Sequence, residues 1–142
     1  CFTTIGGKLM VKIDVKYEGV FRCVATHVPS GRELITDAPV DNHGKGESFS
    51  PTDLLATSMI TCIMTIIGIR AEKRRIDVSG MFGSVEKTMH QNPRRVGCLD
   101  VKIKLPDNIK EEDKQWLIQE GCECPVCHSV NKTMEVKITF ED

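Results

Sequence analysis

The sequence lacks an excess of charge of either sign, and it lacks an apolar run long enough to span a bilayer. Lys and Arg total 19 and Asp and Glu total 20, which leaves a net charge of -1. Proteins that bind nucleic acid or anionic lipid carry a basic surface instead. The apolar run from Leu54 to Ile69 is shorter than the roughly 20 residues that a membrane helix needs. We therefore expect neither a nucleic-acid partner nor a membrane span.

The first residues also lack the pattern of a secretory signal, which is a basic start, an apolar centre and a small-residue cleavage site. The chain has no internal repeat or low-complexity tract, and 142 residues are the usual size of one domain. An odd number of cysteines in a chain that needs no disulfides to fold favours free thiols over a secreted framework. We expect one domain over residues 1–142, in the cytoplasm, with seven thiols at Cys1, Cys23, Cys62, Cys98, Cys122, Cys124 and Cys127.

Alternation of apolar and polar residues predicts strands in the first part of the chain. It is regular from Lys8 to Tyr17, which predicts a half-buried strand. Val20 to His27 predicts a second strand, and Glu33 to Thr36 a short third one after the Pro29-Ser30-Gly31 turn. Together they indicate an antiparallel meander. The Pro- and Gly-rich segment from Asp37 to Ser50 is a loop long enough to have a function.

A long helix is predicted next. Ser50 can cap it, Pro51 suits its first position, and Asp53 completes a capping box with Ser50. Apolar residues then occupy nearly every face up to Ile69, before a basic end from Arg70 to Arg75. We expect protein to surround this helix for about four turns.

The rest of the chain predicts a hairpin, two short helices and a last strand. The segments are a hairpin of Ile76–Met89 and Val96–Leu105, a helix of about Lys110–Glu120 stopped by Gly121, a helix from Pro125 to about Lys132, and a strand Met134–Phe140. In the hairpin's second strand the inward residues should be Leu99, Val101, Ile103 and Leu105. The predicted fold is α+β with the order βββ-α-ββ-α-α-β.

Cys62 lies about three turns into the predicted helix, among apolar neighbours. A buried cysteine of this kind is usually a small, inert hydrophobe. The helix dipole acts over the first turn and cannot lower the pKa of this thiol, so a reactive Cys62 would need a cation beside it. Both interpretations, core residue and nucleophile, stay open on the residues alone.

The segment Cys122-Glu123-Cys124-Pro125-Val126-Cys127-His128 is the second candidate site. Cys124 and Cys127 have the spacing of a zinc half-site, although a matching second pair is missing from the nearby sequence. The same two residues also suit a redox pair as in thioredoxin, with Cys124 at a helix start that favours the thiolate. A couple between Cys62 and Cys124 is the third possibility.

Two motifs carry a resemblance to a known family: Ser50-Pro51-Thr52-Asp53-Leu54-Leu55-Ala56 followed by Cys62, and Cys124-Pro125-Val126 downstream. With their spacing, they resemble the family of osmotically induced protein C (OsmC) and organic hydroperoxide resistance protein (Ohr). The resemblance covers most of the chain. It implies an intertwined α+β homodimer, in which two long central helices pack back to back within wrapping sheets.

The resemblance also implies an activity. Cys62 would be the peroxidatic thiol, which reduces an organic hydroperoxide and becomes sulfenic acid, and Cys124 would be the resolving thiol that closes a disulfide with it. A dithiol reductant, often a lipoyl protein in the family, would return both thiols. No cofactor is implied.

One position departs from the pattern of the peroxidases. They have a Glu in the first turn of the long helix, which holds an Arg against the thiolate, and this chain has Thr52 there. Arg22 and Arg32 are the candidates for the Arg, and we favour Arg22 because it lies within an extended segment. Glu47 is a candidate for the carboxylate.

Two further functions remain as alternatives. A non-catalytic dimer could hold a small apolar ligand above Cys62, and the missing first-turn Glu favours it. A zinc-stabilised module could form around Cys122 to His128.

Overall fold

The structure is a computed structural model that describes residues 3–5, 8–130 and 132–141, so Cys1 lies outside the described residues. Its contacts divide the chain into two compact units, residues 1–54 and 55–142. Each unit is described by itself, and the single domain expected over residues 1–142 stays a prediction.

The first unit is made of strands. Its described elements are β1 (Thr3–Ile5), β2 (Lys8–Met10), β3 (Ile13–Gly19), β4 (Arg22–His27), β5 (Arg32–Asp37) and a 3-10 turn at Val40–Asn42. β1 and β2 form an antiparallel pair, and β3, β4 and β5 form an antiparallel sheet in that order. The meander is confirmed. The strand predicted from Lys8 to Tyr17 is divided, however: residues 11 and 12 lie between β2 and β3 and belong to neither strand.

The apolar side of β3 does not become half-buried as the alternation predicted. Ile13, Val15 and Tyr17 are 59%, 64% and 62% exposed. Their partners across the β3–β4 register belong to the same sheet, and none of the described residues of this unit belongs to the buried apolar core. The three side chains alternate along β3 and therefore share one exposed face of the strand.

The long helix, α1 (Pro51–Lys73), begins where the capping pattern predicted. The backbone N–H of Ser50 donates to Asp53 Oδ2 at 2.8 Å, and the N–H of Asp53 donates to Ser50 Oγ at 3.1 Å. This reciprocal pair satisfies two N–H groups that the helix itself leaves unpaired. The capping box is therefore confirmed.

Within one chain, protein covers one face of α1, and the four surrounded turns that we expected would need a second copy of the chain, so that expectation stays a prediction. The buried residues follow one face of the helix, while Thr61, Thr65 and Ile69 are exposed. By length and composition α1 is apolar enough to cross a membrane, as are many core helices of water-soluble proteins. A third of the most apolar stretch of α1 is buried. The buried residues of the helix are Ala56, Met59, Ile60, Ile63, Ile67 and Ala71.

The second unit packs this helix face against a sheet. Its elements after α1 are β6 (Phe82–His90), β7 (Arg95–Lys104), α2 (Glu111–Cys122), α3 (Pro125–Ser129) and β8 (Glu135–Glu141). β7 is central, antiparallel to β6 and parallel to β8. The four inward residues predicted on the hairpin are buried, which confirms that prediction: Leu99, Val101 and Ile103 are 0% exposed and Leu105 is 4% exposed. The predicted α+β order is confirmed from β3 onward, with β1 and β2 added before it.

Gly121 does not stop α2, which continues to Cys122. A Cβ atom on Gly121 would lie 2.9 Å from Ile67 Cγ1 and 3.3 Å from Ile63 Cγ2. The glycine therefore lets the last turn of α2 approach the buried face of α1, which brings the segment after α2 close to that helix.

Replacing Gly121 by valine is expected to destabilise the protein by roughly 1–3 kcal/mol, because the new side chain overpacks against Ile67. The matched control is Gln119→Val on the exposed side of α2, which adds the same branched side chain without that contact and should change stability by less than about 0.5 kcal/mol. Urea unfolding of both variants measures the difference. Equal midpoints would show that Gly121 does not serve close packing.

Candidate functional site

Cys62 lies on α1, half-buried, where α3 begins. The backbone N–H of Val126 and the thiol of Cys124 are its neighbours there, close enough to act on its pKa. Burial raises the pKa of the Cys62 thiol above its usual value, and the Val126 amide opposes this effect. In the second unit taken alone, Cys62 is a protonated thiol that needs a further positive charge to ionise.

Cys124 is the residue before α3 and is 0% exposed. Its sulfur caps the short helix by accepting the backbone N–H of Cys127 at 3.4 Å. The thiol of Cys124 donates to Cys127 Sγ at 3.1 Å, and it is also a neighbour of Cys62 that raises the pKa of that residue. The structure thus brings Cys62 and Cys124 together, as the resemblance implied, while their redox roles stay predictions.

Cys127 is the third member of this thiol cluster, which we define as Cys62, Cys124 and Cys127. Its thiol donates to Met59 Sδ at 3.2 Å on the buried face of α1. Burial, followed by the hydrogen bond and charge of Cys124, raises the pKa of Cys127 to about 12. Cys127 is therefore a neutral thiol near pH 7. The sequence placed Cys127 in a Cys-x-x-Cys pair but gave no signal for its contact with Met59.

The zinc site considered for Cys122 to His128 is not assembled. Cys122 is exposed at the end of α2. His128 Nε2 lies 3.1 Å from Glu123 Oε2 rather than beside a thiol. Across the described residues, no group of three or more His, Cys, Asp or Glu side chains is arranged to hold a metal ion.

Arg22 belongs to a second cluster, in the first unit, which we call the carboxylate clamp: Arg22, Asp37 and Glu47. Arg22 Nη2 lies 2.6 Å from Glu47 Oε2 and 3.3 Å from Asp37 Oδ2. Arg22 and Asp37 face each other across β4 and β5. Asp37 is 1% exposed, and the same Oδ2 accepts the backbone N–H of Glu47 at 3.0 Å. That amide and the guanidinium lower the pKa of Asp37, which keeps it charged.

Of the two arginines named from the sequence, Arg22 is the one held between carboxylates. Arg32 starts the next strand and is exposed. Glu47 was also named from the sequence, whereas Asp37 was taken only as the start of a loop. Thr52 lies in the capping region instead, with its Oγ1 3.1 Å from Ser50 Oγ.

Both the sequence and the fold of the chain match known proteins. The model of the OsmC-like protein family matches residues 44–139. A protein of Psychrobacter arcticus 273-4, provisionally named an osmotic stress induced and detoxification response protein, has a crystal structure with a TM-score of 0.88. It is 39% identical, and the match covers 96% of this chain and 100% of that chain.

More distant solved structures share the fold. The organic hydroperoxide resistance protein OsmC of Legionella pneumophila is 14% identical with a TM-score of 0.76, over 94% of this chain and 97% of that one. The organic hydroperoxide resistance protein OhrB of Bacillus subtilis is 15% identical with a TM-score of 0.67, over 93% and 98%. At these identities the likeness shows the fold alone. No curated protein matches the sequence.

Proposed function

Because the chain belongs to the OsmC-like family, we propose that it is a cysteine-based peroxidase that reduces organic hydroperoxides. The observation that supports this most is that Cys62 on α1 and Cys124 before α3 lie close enough in one unit for the Cys124 thiol to raise the pKa of Cys62. A peroxidatic thiol and its resolving partner must come within bonding reach of each other. The names of the Legionella and Bacillus relatives, which specify organic hydroperoxide resistance, support the substrate class.

The reaction proceeds in two steps. The Cys62 thiolate attacks the outer oxygen of the hydroperoxide, the O–O bond breaks, Cys62 becomes sulfenic acid, and the departing alkoxide leaves as the alcohol after taking up the proton that Cys62 lost on ionising. The sulfur of Cys124 then attacks the sulfenic sulfur and water leaves, which forms the Cys62–Cys124 disulfide. A dithiol reductant, such as a lipoyl protein, returns both thiols. The proposed location is the cytoplasm, where free thiols persist.

Activation of Cys62 requires a cation, because burial raises its pKa. We assign this role to Arg22. In the family's peroxidases a first-turn Glu holds the arginine, and in this chain Glu47 and Asp37 hold it instead, which compensates for Thr52. Both carboxylates contact the same Nη2 of Arg22, so the other N–H groups of the partly exposed guanidinium remain for the proposed contact with the thiolate.

The proposal includes a homodimer. The exposed apolar side of β3 and the uncovered face of α1, which includes Ile69, are surfaces that a second copy of the chain would bury. Each copy presents the same surfaces, as a two-fold interface requires.

The first test is titration of the reduced protein with cumene hydroperoxide, followed by peptide mapping. We expect Cys62 to be oxidised by the first equivalent. In Cys124→Ser, Cys62 should stop at sulfenic acid, which dimedone labels, and turnover with a dithiol should fall by roughly 100-fold or more because the resolving step is lost. Cys98→Ser, on β7, is the matched control and should behave as wild type. Unoxidised Cys62 after excess hydroperoxide would refute the peroxidase.

A non-catalytic dimer that holds a small apolar ligand remains the second candidate, and the raised pKa of Cys62 together with Thr52 favours it. This function predicts saturable binding of cumyl alcohol, followed by isothermal calorimetry, in a protein whose Cys62 resists the hydroperoxide. Turnover at Cys62 would exclude it.

A further inference from the structure

The thiol cluster contains one sulfur more than the proposed reaction uses. Cys124 Sγ lies 3.1 Å from Cys127 Sγ, and the thiol of Cys124 is also close enough to Cys62 to raise its pKa. Cys124 and Cys127 occupy the capping position and the third residue of α3, and the Cys127 amide points at Cys124 Sγ. Disulfide oxidoreductases place a Cys-x-x-Cys pair in the same positions of a helix start.

We propose that Cys127 is a third redox residue, which takes the disulfide over from Cys62 and makes Cys124–Cys127 the oxidised form that the reductant meets. This inference rests on the proposed peroxidase and extends it. Its consequence is that Cys62 becomes available for a second hydroperoxide before any reductant arrives.

The exchange balances without a further reactant. The sulfur of Cys127 attacks Cys124 Sγ of the Cys62–Cys124 disulfide, the bond between Cys62 and Cys124 breaks, and the Cys124–Cys127 bond forms. The departing Cys62 thiolate takes up the proton that Cys127 loses. The two electrons taken by the hydroperoxide in the first step remain missing from the protein, and a dithiol supplies them at the end.

The contacts of Cys127 favour its ionisation only after Cys62 and Cys124 have formed a disulfide. After burial, the neighbouring thiols of Cys124, Cys122 and Cys62 contribute to its raised pKa. Once Cys62 and Cys124 are joined as a disulfide, neither can ionise beside Cys127, and burial and Cys122 continue to favour the protonated form. Cys127 then loses its proton more readily than in the reduced protein, so exchange follows resolution rather than competing with it.

Attack by Cys127 should depend on pH. Its thiolate fraction increases about tenfold per pH unit below its pKa, so we expect the exchange rate to rise by up to about tenfold per unit from pH 7 to pH 9. A residue that only positions Cys124 by a hydrogen bond would not produce this slope.

The sequence makes the two disulfides easy to distinguish. Trypsin releases Cys62 in peptide 46–70 and the cysteines of the turn in peptide 115–132. A Cys62–Cys124 disulfide joins two peptides, whereas Cys124–Cys127 closes a loop within one. Because Cys122 shares the second peptide, the experiment uses Cys122→Ser as the parent protein, and unmodified protein is run beside it.

The test adds cumene hydroperoxide in counted equivalents and quenches with acid at intervals. In the parent protein the joined peptides should form first and then give way to the looped peptide, and a second equivalent should yield dimedone-labelled Cys62. With Cys127→Ser added, oxidation should stop after one equivalent at the joined peptides, without the dimedone label. Cys127→Ala, which removes the hydroxyl of the serine variant, should stop at the same point.

The outcomes separate this inference from the function on which it rests. If the parent protein also stops at the Cys62–Cys124 disulfide, the relay is refuted and the peroxidase stands. If Cys62 stays reduced in the parent and in Cys127→Ser, both are refuted. The time course in the parent and in unmodified protein decides the matter even if the Cys127 variants do not fold.

Discussion

Replacing Cys62 by serine is expected to lower kcat/KM for organic hydroperoxide by roughly 1,000-fold or more, which leaves no measurable turnover. Serine keeps the size and the hydrogen-bonding capacity of the side chain, but its hydroxyl does not ionise near neutral pH and cannot attack the O–O bond. The half-buried position should accept the change, so the variant should remain folded. Stopped-flow reduction of cumene hydroperoxide measures the loss.

Cys23→Ser is the control for this prediction, since Cys23 is a half-buried strand residue of the first unit outside the thiol cluster. It should keep the wild-type rate. Circular dichroism and urea unfolding must show that Cys62→Ser is folded. A folded Cys62→Ser protein that still consumes hydroperoxide at the wild-type rate would rule out Cys62 as the nucleophile.

Replacing Arg22 by alanine is expected to lower the rate of hydroperoxide reduction at pH 7 by about 100-fold, because the thiolate fraction of Cys62 falls. Burial raises the pKa of Cys62, and in the proposed site the guanidinium would oppose that effect. Without it the pKa is higher, so the rate should climb as the pH rises toward 10 and the deficit relative to wild type should shrink. The measurement is the second-order rate constant between pH 6 and pH 10.

Arg32→Ala is the matched control, because Arg32 is an exposed strand arginine outside the carboxylate clamp. It should leave both the rate and the pH profile unchanged. Arg22→Lys should recover only part of the rate, since one ammonium group does not reproduce the planar contacts with Glu47 and Asp37. Identical pH profiles for Arg22→Ala and wild type would show that another group activates Cys62.

The elements that could be predicted from the sequence are those with a local signal. The start of α1 is set by Ser50 and Asp53, which lie three residues apart, and the burial of β7 follows from its own alternation. The parallel pairing of β8 with β7 has no such signal, because two alternating segments pair in either direction. Gly121 was misinterpreted for a similar reason: a glycine that ends a helix and one that permits close packing look the same in sequence.

In the candidate site, too, some contacts follow from a local sequence pattern and others do not. The meeting of Cys62 with Cys124 was implied by resemblance, since their separation along the chain predicts no contact. The pair of Arg22 and Asp37 could have been derived, because a turn at Pro29-Ser30-Gly31 sets the two residues opposite each other. The contact of Cys127 with Met59 depends on how α3 packs on α1, which no local pattern encodes.

The direction of β8 has a consequence for engineering this chain. Since β8 runs parallel to β7, the chain must return along the whole sheet between them, and α2, the cysteine turn and α3 make up that return. This connection begins at the end of β7 and ends at the start of β8, and both strands belong to the same sheet. A residue inserted into or deleted from the turn at Cys122–Cys124 would change the distances between the sulfurs. An insertion in the exposed turn at residues 91–94 would leave those distances unchanged.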